Sequence, residues 1–167
     1  MREAAFAIRP AQPSDVPDLI RMKSALAAGD GSISVVRATS EEWTRDLFGS
    51  QPRFVAFIAE SGNTSVGMAT CSDRYVTGWP GPIVYLQDLF VDPAFRRHGI
   101  GAALIERVAA HADACGSPII EINVRADNPA RDFYCRHGFQ PVDNCVVLVG
   151  GVHALPRRGG SSERSEE

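Results

Sequence analysis

Residues 91–108 read VDPAFRRHGIGAALIERV. An apolar segment ends at Val91-Asp92-Pro93, and the short basic run Arg96-Arg97-His98-Gly99-Ile100-Gly101-Ala102 follows. Ile100, Leu104, Ile105, Val108, Ala109 and Ala112 then recur at helical spacing. The pattern predicts a strand, a tight loop and a helix over Gly99 to Cys115. Glycines leave backbone N–H groups unobstructed, a helix N-terminus carries partial positive charge, and Arg96 and Arg97 add full charges. Such a loop can cradle a phosphate or diphosphate. It lacks the G-K-[ST] ending of one phosphate loop and the G-x-G-x-x-G spacing of another. A G-x-G alone is as well read as a tight loop with two solvated arginines. The whole R-x-x-G-x-G between a strand and an amphipathic helix favours the ligand-binding reading.

The chain before the loop predicts a strand at Phe6 to Arg9 and an amphipathic helix from Asp15 to Ala28, stopped by Gly29-Asp30-Gly31. Val16, Leu19, Ile20, Met22, Lys23 and Leu26 mark that helix's stripe. Thr39 and Glu42 fit a capping box ahead of a helix over Ser40 to Phe48. Arg53 to Glu60, Val66 to Val76 and Ile83 to Val91 read as an antiparallel meander, with Ser61-Gly62-Asn63 as its first turn. After the long helix, Pro118 to Arg125 is a continuous apolar run suited to a buried strand. Asn128 or Asp127 caps a short helix through Arg136, and Val142 to Val149 is the last strand. Strand, helix and strand in this order imply a parallel pair with a right-handed crossover. The expected fold is α+β, a mixed and mostly antiparallel sheet flanked by helices. A length of 167 residues suits one domain, placed at 1–155, with the polar run 156–167 as a disordered tail.

Composition narrows the partners. Lys plus Arg number 17 and Asp plus Glu 20, for a net charge of −3, which gives no basic surplus for nucleic acid. No apolar run approaches the ~18 residues of a membrane helix, and the start MREAAFAIRP has no apolar signal segment, so a cytoplasmic protein is expected. Cys71, Cys115, Cys135 and Cys145 form no C-x-x-C and have no histidine at zinc-finger spacing. They read as free thiols in a reducing compartment, with no metal expected.

Arg96-Arg97-His98-Gly99-Ile100-Gly101 resembles the R/Q-x-x-G-x-G/A signature of the GNAT N-acetyltransferase superfamily. Asn128-Pro129-Ala130-Arg131-Asp132-Phe133-Tyr134-Cys135-Arg136-His137-Gly138-Phe139 is similar to that family's N-x-x-A-x-x-x-Y-x-x-x-G-F stretch, one helix and one strand downstream. The likeness spans about Phe6 to Val149, and specific motifs cover residues 83 to 140. It implies a sheet splayed at an acetyl-CoA site. The diphosphate would lie on the amides of Arg97, His98, Gly99, Ile100, Gly101 and Ala102, with Arg96 beside them. Leu89, Phe90 and Val91 would hold the pantetheine arm by strand-like hydrogen bonds, Asn128 would contact that arm, and Arg131 would lie toward the nucleotide end. Tyr134 would stand near the thioester sulfur, where a phenol with pKa about 10 can protonate a leaving thiolate. Packing beside Phe133 is its plainer role.

The strand Tyr85-Leu86-Gln87-Asp88-Leu89-Phe90-Val91 resembles the branch containing diamine acetyltransferases, which usually reads L-E-D-L/F-F/Y-V. Gln87 stands at the glutamate position and cannot accept a proton at neutral pH. Either water deprotonates the amine or another carboxylate serves. Strand alternation places Asp88 on the face opposite Gln87. Asp88 either binds the substrate ammonium or is a structural carboxylate. Glu121 is a second base, with a raised pKa if desolvated among isoleucines, or a solvent-facing side chain. Arg74, Tyr75 and Trp79 line the acceptor pocket or form a hairpin tip. Glu41, Glu42 and Asp46 either attract a cationic acceptor or make an ordinary solvated helix face. The expected function is acetyl-CoA-dependent transfer of acetyl to a primary amine of a small molecule by direct attack. The alternatives are a protein N-terminal or lysine acetyltransferase and a non-catalytic acyl-CoA-binding module. A homodimer paired through Cys145 to Val149 is also expected, by analogy with the fold.

Overall fold

The computed structural model describes residues 5–29, 36–78 and 80–142. Strand β1 (Ala7–Pro10) leads through a 3₁₀ turn (Pro13–Asp15) into α1 (Val16–Gly29), and α2 (Ser40–Phe48) follows. Then come β2 (Val55–Ser61), β3 (Thr64–Tyr75) and β4 (Pro82–Val91), a second 3₁₀ turn (Pro93–Phe95), α3 (Ile100–Ala114), β5 (Ile120–Glu121) and α4 (Ala130–Arg136). The sheet runs β1-β2-β3-β4-β5. The first four strands are antiparallel neighbours and β5 is parallel to β4. This is the expected α+β architecture with its single parallel crossover.

Apolar periodicity divides the core between the two faces of the sheet. Leu19 and Met22 of α1 and Leu47 of α2 pack on Ile58, Met68 and Phe90. On the other face, Ile100, Leu104 and Val108 of α3 pack on Ala69, Cys71, Val84 and Leu86. β3 is therefore buried on both sides from Val66 to Cys71. The capping box at α2 forms as expected. Thr39 Oγ1 accepts from the Glu42 amide at 3.2 Å, and the Thr39 amide donates to Glu42 Oε2 at 2.8 Å.

Two elements differ from the sequence expectation. The eight-residue strand at Pro118 to Arg125 shrinks to Ile120–Glu121, because β5 meets β4 only at Val84 and Tyr85. Beyond Tyr85, β4 pairs with β3 alone among the described residues. The last strand, Val142 to Val149, and the polar tail lie almost wholly outside the described residues, as does the segment expected to pair two copies. Among the described residues no helix is long and apolar enough to cross a membrane.

Candidate active site

Two residues past its last pair with β5, β4 carries a β-bulge. Thr70 pairs with Asp88, but the next residue of β3, Cys71, pairs with Leu86, which leaves Gln87 as the extra residue of β4. The bulge reverses the alternation. Thr70 Oγ1 donates to Asp88 Oδ2 at 2.8 Å, and Gln87 Nε2 donates to Ser72 Oγ at 3.3 Å. Thr70 and Ser72 are two apart on unbroken β3 and share a face, so Gln87 and Asp88 point to the same side. The expectation of opposite faces is corrected on that account. The β5-facing edge of β4 from Leu86 to Val91 has no strand partner among the described residues. Its backbone groups at Leu89 and Val91 border the opening, while Phe90 is turned to Met68 of β3 in the register that pairs the Asp92 amide with Val66.

Asp88 is buried, and its second oxygen accepts from Lys23 Nζ of α1 at 2.5 Å. Sequence reasoning missed Lys23 and Thr70. Lys23 did leave a signal, since a lysine stands on the apolar stripe of α1 between Met22 and Leu26. A buried charge there needs a partner of opposite sign.

The loop is tied to the end of β4. Asp92 Oδ1 accepts from the Ala94 amide at 3.0 Å, and Arg96 Nε donates to the Val91 carbonyl at 3.0 Å. His98 is held through Nδ1, 3.3 Å from the Phe95 carbonyl. The backbone then turns left-handed at Arg97 (φ 65°) and at Gly99 (φ 82°). The first helical bond of α3 is from the Ala103 amide to the Gly99 carbonyl, 3.0 Å. Among the described residues, the amides of Arg97, His98, Gly99, Ile100, Gly101 and Ala102 have no acceptor. The two glycines work differently. Gly99 has open space and a φ that disfavours any Cβ, whereas a Cβ on Gly101 would stand 3.1 Å from the Phe133 ring. Gly101 is thus a packing residue that lets α3 and α4 approach.

α4 brings the second motif to the same place. Asn128 Oδ1 accepts from the Ala130 amide at 2.8 Å, so Asn128 turns the chain into α4 and leaves its amide nitrogen without a partner among the described residues. Arg131 Nη1 donates to the Ala126 carbonyl at 2.9 Å. Tyr134 is buried between Phe133 and Phe139, with ring centroids 5.4 and 5.6 Å away. Burial first, and the Asp88 carboxylate second, push its phenol up to about 12.

Other expected residues fall at the rim. Glu121 is half-exposed and ion-paired to Arg74 at 2.7 Å, so the buried base among isoleucines is not formed. Arg74 also lies over the Tyr85 ring. Tyr75 is 75% exposed at the end of β3. Trp79 lies outside the described residues. On α2, Asp46 pairs with Arg45 at 2.8 Å and Glu42 is taken by the capping box. A cleft lined by Ile105, Ala109, Ile120, Ile122 and Val124 reaches Tyr134 and Arg131 but none of the loop residues.

This five-stranded mixed sheet, with a loop of unpaired amides ahead of α3 and a buried tyrosine on α4, has the fold of the acetyltransferases. The chain belongs to the GNAT acetyltransferase family, whose model, "Acetyltransferase (GNAT) family", matches residues 27–139. It is similar to the human "Spermidine/spermine N(1)-acetyltransferase-like protein 1", 34% identical over 111 residues, covering 62% of this chain and 16% of that protein. It is also similar to the mouse (Mus musculus) "Thialysine N-epsilon-acetyltransferase", 35% identical over 114 residues, covering 64% of this chain and 66% of that protein. The chain thus spans less than two thirds of these relatives. In fold it resembles an aminoglycoside acetyltransferase from an uncultured soil metagenomic sample, solved in complex with sisomicin. That match has a TM-score of 0.73 at 22% identity and covers 88% of this chain and 96% of that one.

Proposed function

We propose that the protein is an acetyl-CoA-dependent N-acetyltransferase acting on a primary amine of a small, cationic molecule in the cytoplasm. The observation that carries this is the run of unpaired amides from Arg97 to Ala102, set beside the free edge of β4. Donors without acceptors at a helix N-terminus fit a diphosphate, and a free strand edge fits the amide groups of a pantetheine arm. Arg97 adds charge at the loop, Asn128 offers its amide nitrogen to the arm, and Arg131 stands toward the nucleotide. Bound there, acetyl-CoA supplies the activated acyl group as a thioester. Polyamine, thialysine and aminoglycoside acetyltransferases among the similar proteins support an amine acceptor.

The chain's own groups divide the work. The backbone N–H of Leu89, which points to the free edge of β4 while Phe90 is paired with Met68 of β3, is available to negative charge developing on an acyl oxygen. Tyr134 keeps its proton throughout the physiological range. A phenol at about 12 is a weaker acid than a thiol at about 8.5, so full transfer to a thiolate is uphill by roughly 4–5 kcal/mol. Tyr134 therefore acts by donating a hydrogen bond to the leaving sulfur. Both Asp88 oxygens are occupied and Glu121 is bound to Arg74, so water takes the amine proton. Gln87 positions that water or the amine through its amide oxygen, and Asp88, committed to Lys23 and Thr70, ties α1 to the sheet beside it. Tyr75, exposed at the end of β3, stands at the rim of the acceptor side.

Thiol release from acetyl-CoA across a panel of polyamines, lysine analogues and aminoglycosides tests the reading. Amine-dependent turnover is the expected result. CoA binding without turnover on any amine or peptide would reduce the protein to a binding module.

A further inference from the structure

His111 and Cys115 lie four residues apart at the C-terminal end of α3, remote from the loop, and face Asp73 on β3. His111 Nε2 is 3.6 Å from Cys115 Sγ and 3.8 Å from Asp73 Oδ1. The three donor atoms lie within 4.8 Å of one another. Zinc bonds of ~2.0–2.3 Å at tetrahedral angles put neighbouring donors about 3.4–3.6 Å apart. The triad needs only small side-chain adjustments to reach that spacing. Neither the Asp73 carboxylate nor the Cys115 thiol has another partner among the described residues. Arg74, next on β3, is committed to Glu121. Asp73 is exposed, which leaves a fourth position open to water, while the edge of the Phe57 ring shields His111.

We propose that Asp73, His111 and Cys115 form a zinc site that clips the end of α3 to β3. One thiolate, one imidazole and one carboxylate make a borderline donor set, which selects zinc or cobalt over magnesium or calcium. Cys115 enters as the thiolate and gives its proton to solvent. Zinc-finger spacing could not reveal the site, because Asp73 is 38 residues before His111 (111 − 73) and joins it only through the packing of α3 on the sheet. The proposal does not depend on the catalytic reading.

The test uses the full chain carrying Cys135→Ser and Cys145→Ser, stripped of metal and titrated with Co²⁺ alone, then Zn²⁺. The expected result is one equivalent of Co²⁺ with a thiolate-to-cobalt charge-transfer band, displaced by Zn²⁺. Cys115→Ser should abolish the band, and Asp73→Asn, a surface change that leaves the fold intact, should weaken affinity at least ~10-fold. Zn²⁺ should raise the melting temperature of the parent but not of Cys115→Ser. Absence of the band at one equivalent, its persistence in Cys115→Ser, or an affinity unchanged by Asp73→Asn would overturn the site.

Discussion

Asp88 sits where a carboxylate should be unstable, and Lys23 and Thr70 make it tolerable. Removing Lys23 strands a buried charge, a loss of ~3–5 kcal/mol in a fully buried pair. Lys23 is 24% exposed, so water recovers part of it. Lys23→Ala is expected to cost about 2 kcal/mol in urea unfolding, and adding Asp88→Asn should return some of that loss. A single-variant cost below about 0.5 kcal/mol would place this pair with ordinary surface pairs. At Tyr134, Tyr134→Phe is expected to lower kcat roughly 10–100-fold with little change in acetyl-CoA affinity. The motif residues of the loop and α4 were legible in the sequence because their types and spacing recur together. The relation of Gln87 to Asp88 was not, because one inserted residue in a strand reverses alternation without altering composition.

At the level of elements, the start of α1 is held by one arginine. Arg9 donates to Asp15 at 2.6 and 2.9 Å and to Glu60 at 2.7 Å, joining β1, the first turn and β2. The Arg9 hydrogen bonds hold the Asp15 carboxyl below its usual 3.8 against an opposing burial effect. A depressed folded-state pKa stabilises above the unfolded value and is lost as pH falls through the folded one. Asp15→Asn should therefore lower stability at pH 7 and flatten the acid limb below about pH 4, read by thermal melts across pH. Gly101 couples α3 to α4. Gly101→Leu should displace Phe133, cost about 2 kcal/mol and raise the KM for acetyl-CoA. Helices and the meander were legible because their periodicities are long and capped. The brevity of β5 was not, since an apolar run records burial and not the departure of a neighbouring strand.

Across the whole molecule, stability has an alkaline limit. Burial raises the Cys71 thiol from 9.0 to about 12, and Tyr134 rises from 10.0 to about 12. Above pH 9 the unfolded chain releases protons that the folded chain keeps, so stability falls as pH rises toward 12. The slope near pH 10 should approach about 2 kcal/mol per pH unit and should fall below about 1 in Cys71→Ala, as urea titrations at pH 8, 9 and 10 would show. The global fold follows from one arrangement, α1 and α2 on one face and α3 and α4 on the other, with the sheet opening where β4 bulges. The most direct measurement is to follow the backbone amide resonances of the labelled protein while CoA is added. The expected result is saturable shifts concentrated at Arg97 to Ala102, with much weaker ones from pantetheine, which lacks the diphosphate. CoA binding that leaves those amides unmoved, or pantetheine binding equally well, would contradict the account.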